Sequence, residues 1–220
     1  MKKLKLKDIS VVSILIALAF ICTFAFKFKV GFLTFDLKDA MLAIIAFLFG
    51  PIMAVVSASM VAVFEFLTIS DTGVYGLIMN AISSSVFVFT IGLFYKYRKS
   101  FLSALLGALT AVFITSAVMM LANIYITPFY MGVPRGEVIK MIPTLLLPFN
   151  LIKTTVNAAF TMILYKPLTS AFKRIGLIKG GEKPFSLNKF IPIFLVSAII
   201  IAVASAFIIF VLKGEISVFF

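Results

Sequence analysis

Three polar side chains occur at helical spacing inside one of the most apolar stretches of the sequence. The stretch LLLPFNLIKTTVNAAF, residues 145–160, contains Asn150, Lys153 and Asn157. At intervals of three and four residues, these side chains lie on one face of a helix. Amide groups both donate and accept hydrogen bonds, whereas a lysine ammonium only donates. A few converging polar groups in apolar surroundings are typical of a small-molecule binding site.

Hydrogen bonding between packed helices is the alternative explanation for these side chains. Lys153 lies about 12 residues into its apolar block, or roughly 18 Å along a helix. An ammonium at that depth of a bilayer costs about 2.5–3.5 kcal/mol unless it faces a cavity or a partner. Hydrogen bonds between membrane helices contribute only about 0.6 kcal/mol each. Ligand binding is therefore favoured for Asn150 and Lys153, while both explanations stay open for Asn157.

Three further polar residues in apolar blocks are candidates for the same site. Asn123 lies near the end of a block, in LANIYITPFY, where Pro128 could instead end the helix. Asn80 lies early in another block, in GLIMNAISSS. Glu65 is the acidic residue placed well inside an apolar block, where it could transfer protons or form an interfacial hydrogen bond.

The composition predicts an all-α integral membrane protein. Of 220 residues, 63% are hydrophobic, 26 are Phe and 13% are charged. Soluble domains carry about 25% charged residues. The apolar residues also form blocks that approach the ~20 residues needed to cross a bilayer as a helix.

Several function classes are disfavoured by the residue types present. The net charge is +12, but the bases cluster at the ends of apolar blocks, as in MKKLKLK and YKYRK, which indicates topology rather than nucleic-acid binding. The sequence has no histidine, and its single cysteine, Cys22, allows no internal disulfide. The motifs of a P-loop, a zinc protease and a serine hydrolase do not occur in it. We therefore predict no catalytic residue, no metal site and no ATP site.

Seven apolar blocks follow one another along the chain. Gly50-Pro51 separates the short second block from the third, because proline suits the first turn of a helix. The first block is not followed by a cleavage site, so we expect it to be retained. The blocks are 9–26, 39–49, 52–68, 75–95, 101–126, 143–165 and 190–212.

The distribution of basic residues predicts the orientation in the membrane. If all seven blocks cross and the N-terminus is cytoplasmic, the basic segments 96–99 and 166–189 both lie inside, as the positive-inside rule requires. The C-terminus is then external, and 27–38 and 127–142 are the longest outer segments. Asp36 and Asp39 are expected as surface residues near a helix N-terminus, or as part of an apolar lid over an outward-facing pocket.

Several of these features together resemble a known family. The first block contains small residues at Ser13 and Ala17 and is followed by the outer segment FLTFDLKD. The second block ends in FLFGP, the fifth carries Asn-x-x-x-x-Pro, and the sixth carries PFNLIK. Over roughly residues 8–175 the chain resembles the substrate-binding S component of energy-coupling-factor (ECF) vitamin transporters, riboflavin type. The resemblance implies a six-helix substrate-binding domain (1–175), followed here by a cytoplasmic linker (176–189) and an extra transmembrane helix with its tail (190–220).

The resemblance also implies which residues bind the vitamin. One edge of the isoalloxazine ring presents a carbonyl, an N–H and a second carbonyl, and the face of the ring is apolar. Phe32 stands where some members have tyrosine. The implied binding residues are Phe32, Leu33, Thr34, Asn123, Asn150 and Lys153, with Asn80, Asn157 and Glu65 as additional candidates.

Partners follow from the resemblance as well. Riboflavin is expected as the transported ligand, not as a cofactor, and ATP hydrolysis is expected from two ATP-binding cassette subunits joined through a membrane scaffold subunit. Ser13 and Ala17 are expected to dock on that scaffold, since small residues let helices approach closely. The alternatives are an S component for another vitamin or for flavin mononucleotide, a membrane enzyme using Glu65 or Lys153, and a membrane scaffold protein.

Overall fold

The computed structural model describes residues 5–25, 27–70, 72–174, 176, 187–210 and 215–216. Most of the predicted linker 176–189 and of the C-terminal tail lies outside these residues. The helices are α1 (Leu6–Ala25), α2 (Lys38–Phe49), α3 (Pro51–Thr68), α4 (Gly73–Tyr97), α5 (Phe101–Met131), α6 (Arg135–Met141), α7 (Leu147–Arg174) and α8 (Leu187–Phe210). A π-helical segment, Ile142–Leu146, joins α6 to α7, and three short strands complete the fold: β1 (Phe28–Val30), β2 (Leu33–Phe35) and β3 (Glu215–Ile216).

The fold is an all-α membrane fold, as predicted, and within the described residues each apolar block lies in a helix, with the start of the sixth in the π-helical segment. Among the described residues, four helices, α1, α3, α4 and α5, are long and apolar enough to cross a membrane by length and composition. The predicted break between the second and third blocks is also confirmed. Gly50 has φ 90°, a conformation that favours glycine, and Pro51 occupies the first turn of α3.

Helices occupy most of the predicted outer segment 127–142, and its location outside the membrane stays a prediction. Helix α5 continues through Pro128 to Met131, and α6 begins at Arg135. Pro128 lies inside α5, so the Asn-x-x-x-x-Pro pattern does not end the helix. The proline removes one backbone N–H from the last turns of α5. A turn at 132–134, with Gly132 in the left-handed region (φ 66°), connects the two helices.

Helix α2 lies at the centre of the bundle. It contacts α1, α3, α4 and α7, and most of its 12 residues are buried, including the charged Lys38 and Asp39 in its first turn. A helix of 12 residues spans only about 18 Å. The chain must therefore already lie within the bundle where α2 begins, and the hairpin β1–β2 leads the chain from α1 to that point.

Helices α4 and α5 pack closely along their lengths. A Cβ atom at Gly107 would lie 2.9 Å from Cβ of Phe94, which is too close for any side chain. Helix α8, which follows the predicted six-helix domain, packs against α7. Near the hairpin β1–β2, a cavity lies between α4, α5 and α7.

Candidate functional site

The hairpin β1–β2 covers one end of the bundle, and we call residues 28–35 the lid hairpin. Its strands pair antiparallel with Val30 opposite Leu33, and Gly31, with φ 58°, makes the turn between them. A positive φ in such a short turn favours glycine. The turn and the second strand place Phe32, Leu33 and Thr34 in the lining of the cavity below.

The cavity lies between the lid hairpin, α4, α5 and α7. Six of the predicted binding residues, Phe32, Leu33, Thr34, Asn123, Asn150 and Lys153, meet there, although they come from three distant parts of the sequence. Asn80 also lines the cavity. The other lining residues are Thr72, Tyr75, Gly76, Met79, Ser83, Met119, Ile126, Thr127, Tyr130 and Phe149.

Lys153 ties the lid hairpin to α7. Its Nζ donates hydrogen bonds to the backbone oxygen of Thr34 at 3.0 Å and to the Asp36 carboxylate at 2.9 Å. Lys153 and Asp36 are both buried. The ammonium expected to need a cavity or a partner therefore has both.

Asp36 is buried and ionised, which corrects the expectation of a surface residue. Burial alone would raise the pKa of its carboxyl, but the ammonium groups of Lys153 and Lys38 outweigh burial and lower the pKa to about 2. Lys38 is also buried and bridges Asp36 to Glu65, with its Nζ 2.7 Å from one Glu65 oxygen. A chain of opposite charges thus runs from α7 through the end of the lid hairpin to α3.

Glu65 accepts hydrogen bonds from three other helices in this network. Its carboxylate accepts hydrogen bonds from the Thr23 hydroxyl at 3.0 Å, from Lys38 at 2.8 Å and from the Asn80 amide at 2.8 Å. Glu65 lines a second cleft, which adjoins the first because the two share Phe32, Thr34, Thr72, Asn80 and Tyr130. Its donors make Glu65 an anchor for α1, α2 and α4.

Asn157 lies outside the cavity lining and holds the start of α2. Its amide nitrogen donates to the backbone oxygen of Asp36 at 2.8 Å, and its amide oxygen accepts from the backbone N–H of Ala40 at 3.1 Å. The first N–H groups of a helix have no partner within the helix, so Asn157 satisfies one of them from a neighbouring helix. Of the two explanations left open for this residue, the structure shows interhelical hydrogen bonding.

The amides of Asn123 and Asn150 bond along their own helices. Asn123 donates to the backbone oxygen of Met119 at 2.7 Å and accepts from the Thr127 hydroxyl at 2.9 Å. Asn150 donates to the backbone oxygen of Leu146 at 2.8 Å, at the end of the π-helical segment. Such segments form where the regular hydrogen-bond ladder is interrupted, here beside Pro143 and Pro148, and they are frequent at functional sites.

Three aromatic rings form the outer wall of the cavity. The Phe32 ring lies 6.2 Å from the Tyr130 ring, and Tyr75 lies 6.3 Å from Tyr130 on the other side. Tyr75 and Tyr130 were missed in the sequence analysis because nothing in the pattern of α4 or α5 distinguishes them from lipid-facing aromatic residues. Tyr75 and Tyr130 provide phenolic hydroxyl groups beside Phe32, which has none.

Asp39 was also missed as a buried residue. It is fully buried in the first turn of α2, and neither carboxylate oxygen has a hydrogen-bond partner among the described residues. The buried hydroxyls of Ser84 and Thr115 also lack partners in the described part of the chain. In the same part of the chain, no group of three or more acidic, cysteine or histidine residues is placed to hold a metal ion.

The face of α1 that carries Ser13 and Ala17 points away from the bundle. Both residues are exposed, whereas Val12, Leu15 and Ile16 are buried against the other helices. The small residues are therefore not used for packing within the described chain. Their role in docking stays a prediction.

Comparison with known proteins identifies the family. Residues 7–165 match the model of the substrate-specific component of ECF transporters. The chain belongs to this family. Its members are transporter subunits that bind a vitamin and associate with the ECF module, which replaces the alternatives of a membrane enzyme and a scaffold protein.

Two similar proteins agree with this assignment. The chain is 27% identical to the riboflavin transporter RibU of Staphylococcus aureus (strain TCH60) over 179 residues, covering 77% of this chain and 94% of that protein. It is similar to the solved structure of the S component of a bacterial ECF transporter, with a TM-score of 0.65 and 27% identity, covering 76% of this chain and 98% of the other. The match to the family model ends at residue 165, so α8 of this S component lies beyond it.

Proposed function

We propose that this S component captures riboflavin on the outer side of the cell membrane and delivers it to the cytoplasm. Two ATP-binding cassette subunits and a membrane scaffold subunit would supply the energy. The observation that carries the proposal is the cavity under the lid hairpin, which combines Asn123, Asn150 and Lys153 with an aromatic and aliphatic lining. The similarity to a riboflavin transporter supports the same ligand.

The chemistry of the lining suits an isoalloxazine ring. The polar edge of the ring alternates acceptor, donor and acceptor, so it needs both donors and acceptors from the protein. Asn123 and Asn150 provide both, and Lys153 provides donors. The face of the ring would pack against Phe149, Met79 and Met119, since aromatic and thioether groups adapt well to flat π systems.

Lys153 would also couple ligand binding to the lid hairpin. Its ammonium holds Thr34 and Asp36 while it lines the cavity, so a ligand that bonds to Lys153 acts on the covering element directly. Buried charge-assisted hydrogen bonds of this kind are roughly twice as strong as neutral ones. Binding would therefore favour a covered pocket.

Titration of riboflavin fluorescence with the purified protein tests the proposal. We expect quenching that saturates at one riboflavin per chain, because the ring stacks among aromatic side chains. Thiamine and biotin serve as controls and should not compete. Lumiflavin, which keeps the ring but lacks the ribityl chain, should compete if the ring is what the amides recognise. Competition by thiamine or biotin, or no quenching at all, would reject the riboflavin assignment.

Flavin mononucleotide is a second candidate, favoured by the adjoining cleft. That cleft is lined by Lys27 and Lys29 next to Asn80 and Tyr130, so a phosphate at the end of the ribityl chain would meet two ammonium groups. The comparison of both ligands on wild-type protein and on a Lys29→Gln variant separates them. A loss of affinity confined to flavin mononucleotide would support phosphate recognition, and equal affinities of the variant and wild type would refute it.

A further inference from the structure

The lid hairpin has a third strand that comes from the other end of the sequence. Strand β3 pairs antiparallel with β1, with Ile216 opposite Phe28 and Glu215 opposite Lys29. The order of the sheet is β2-β1-β3, so β3 occupies the edge of the hairpin that faces away from β2. An exposed strand edge readily accepts a further strand, because its N–H and C=O groups are unpaired.

This strand lies beyond the part of the chain that the family model matches. The family match ends at residue 165, and the solved S component is covered to 98% by only 76% of this chain. Helix α8 and β3 therefore lie outside the part that defines the family. Strand β3 pairs with the element that covers the cavity.

The connection between α8 and β3 is short. Four residues separate Phe210 from Glu215, and an extended chain of that length spans at most roughly 18 Å. Helix α8 in turn packs against α7. The edge of the lid hairpin formed by β1 is thus tethered to α7 through α8, while the edge formed by β2 is held by Lys153 of the same helix.

We infer that β3 is a strap on the lid hairpin, and that Glu215 and Ile216 position the hairpin over the vitamin pocket. This inference rests on the proposed function for its ligand. Opening the hairpin requires separation of β1 from β3 as well as release of Thr34 and Asp36 by Lys153. The strap stabilises the covered state equally with and without ligand, so it slows binding and release together and leaves affinity nearly unchanged.

A disulfide tests the strand pairing in the full chain. Facing residues of antiparallel strands have Cβ atoms about 4.5–5.5 Å apart, which a disulfide can nearly bridge. We expect Lys29→Cys/Glu215→Cys, in a Cys22→Ser background, to form a disulfide on mild oxidation. The control pair Lys29→Cys/Ile216→Cys places the cysteines on opposite faces and should form it poorly. Equal yields from the two pairs, or no disulfide from the first, would overturn the pairing.

Stopped-flow fluorescence with riboflavin tests the function of the strap. The oxidised disulfide should slow association and dissociation at least about tenfold, and reduction should restore both rates. Glu215→Pro/Ile216→Pro, which removes two amide N–H groups, should accelerate both rates roughly three- to tenfold with the dissociation constant unchanged within about twofold. The matched control Glu215→Gln/Ile216→Val keeps both N–H groups and should behave like wild type. If only one of the two rate constants changes, so that the affinity changes with it, the strap would be overturned. No change in either rate constant would overturn it as well.

Hydrogen exchange keeps this test independent of the ligand. In the ligand-free protein, amides of residues 28–35 should exchange more slowly in the oxidised disulfide variant and faster in the proline variant. If riboflavin fails to bind while exchange changes as expected, the strap stands and the ligand assignment falls. Unchanged exchange in both variants would overturn the strap even where riboflavin binds.

Discussion

The Nζ atom of Lys153 lies 2.9 Å from a carboxylate oxygen of Asp36, and both side chains are buried. The pair joins the second turn of α7 to the end of the lid hairpin across 117 residues of sequence. Because the same ammonium lines the cavity and bonds to the backbone of Thr34, one side chain contributes to the ligand site, to the cover and to charge balance.

Lys153→Met should weaken riboflavin binding and lower stability together. Removing one partner of a buried ion pair typically costs about 3–5 kcal/mol, although Lys38 remains near Asp36 and reduces that cost. The lost contact to the ligand should reduce affinity by about tenfold or more. Fluorescence titration and thermal melting in detergent measure the two effects.

The double variant Asp36→Asn/Lys153→Met separates stability from binding. It removes both charges, so it should melt at a higher temperature than Lys153→Met, while its affinity for riboflavin stays low. Wild-type affinity in either folded variant would contradict the role of Lys153 in the pocket.

Asn150→Leu should mainly reduce affinity and Asn157→Leu should mainly reduce stability, although the two residues lie two turns apart on one helix. Asn150 lines the cavity, so its replacement should reduce riboflavin affinity by about fivefold to 100-fold with a small change in melting temperature. Asn157 holds Asp36 and Ala40, so its replacement should lower the melting temperature more. Parallel titrations and melting curves decide this. A loss of affinity without loss of stability in Asn157→Leu would show that Asn157 contacts the ligand.

The helices could be predicted from sequence because apolar blocks, glycine–proline breaks and basic clusters are local signals. Contacts between distant charges could not. Asp36 and Lys38 stand in a segment that resembles a charged surface loop, and their burial depends on Glu65 and Lys153, which come from other helices. A sequence pattern contains no information on which charges meet when the bundle closes.

The same limit applies to the ends of helices and to the pocket wall. Pro128 was one possible end of α5, yet the helix continues to Met131 and places Tyr130 beside Phe32 and Tyr75. The amides and Lys153 were identified because polar groups are rare in apolar blocks. Tyr75 and Tyr130 were not, since aromatic residues are common on every membrane helix and only the tertiary structure places these two beside Phe32.

Asp39→Asn should stabilise the protein. The Asp39 carboxylate is fully buried without a hydrogen-bond partner among the described residues, in a network that already contains Asp36 and Glu65. An amide of the same shape removes the repulsion from the Asp36 carboxylate and the cost of burying a charged group without hydrogen bonds. We expect a higher melting temperature with riboflavin affinity within about twofold of wild type. The matched variant Asp36→Asn should lower the melting temperature, and a destabilised Asp39→Asn would show that the carboxylate has a favourable partner.

Labelling of single cysteines should establish the orientation in the membrane. In a Cys22→Ser background, Glu137→Cys should react with an impermeant maleimide in intact cells, because the positive-inside rule places α6 outside. Lys99→Cys and Arg174→Cys should react only after the cells are opened. Both positions lie at the opposite end of the helices from Glu137. Labelling of Arg174→Cys in intact cells would reverse the assignment.

Ala17→Trp should abolish uptake while leaving riboflavin binding nearly normal. Ser13 and Ala17 are exposed on α1, and we expect these small residues to form a shallow groove. Close helix packing in a bilayer depends on such grooves because lipid provides no hydrophobic drive to association. A tryptophan fills the groove without entering the bundle. We therefore expect loss of co-purification with a co-expressed scaffold subunit and unchanged fluorescence titration of the isolated protein. Ala19→Trp is the matched control, since Ala19 is fully buried two residues away and its replacement should damage folding and binding together. If Ala17→Trp loses binding as severely as Ala19→Trp, the groove is part of the bundle and not a docking surface.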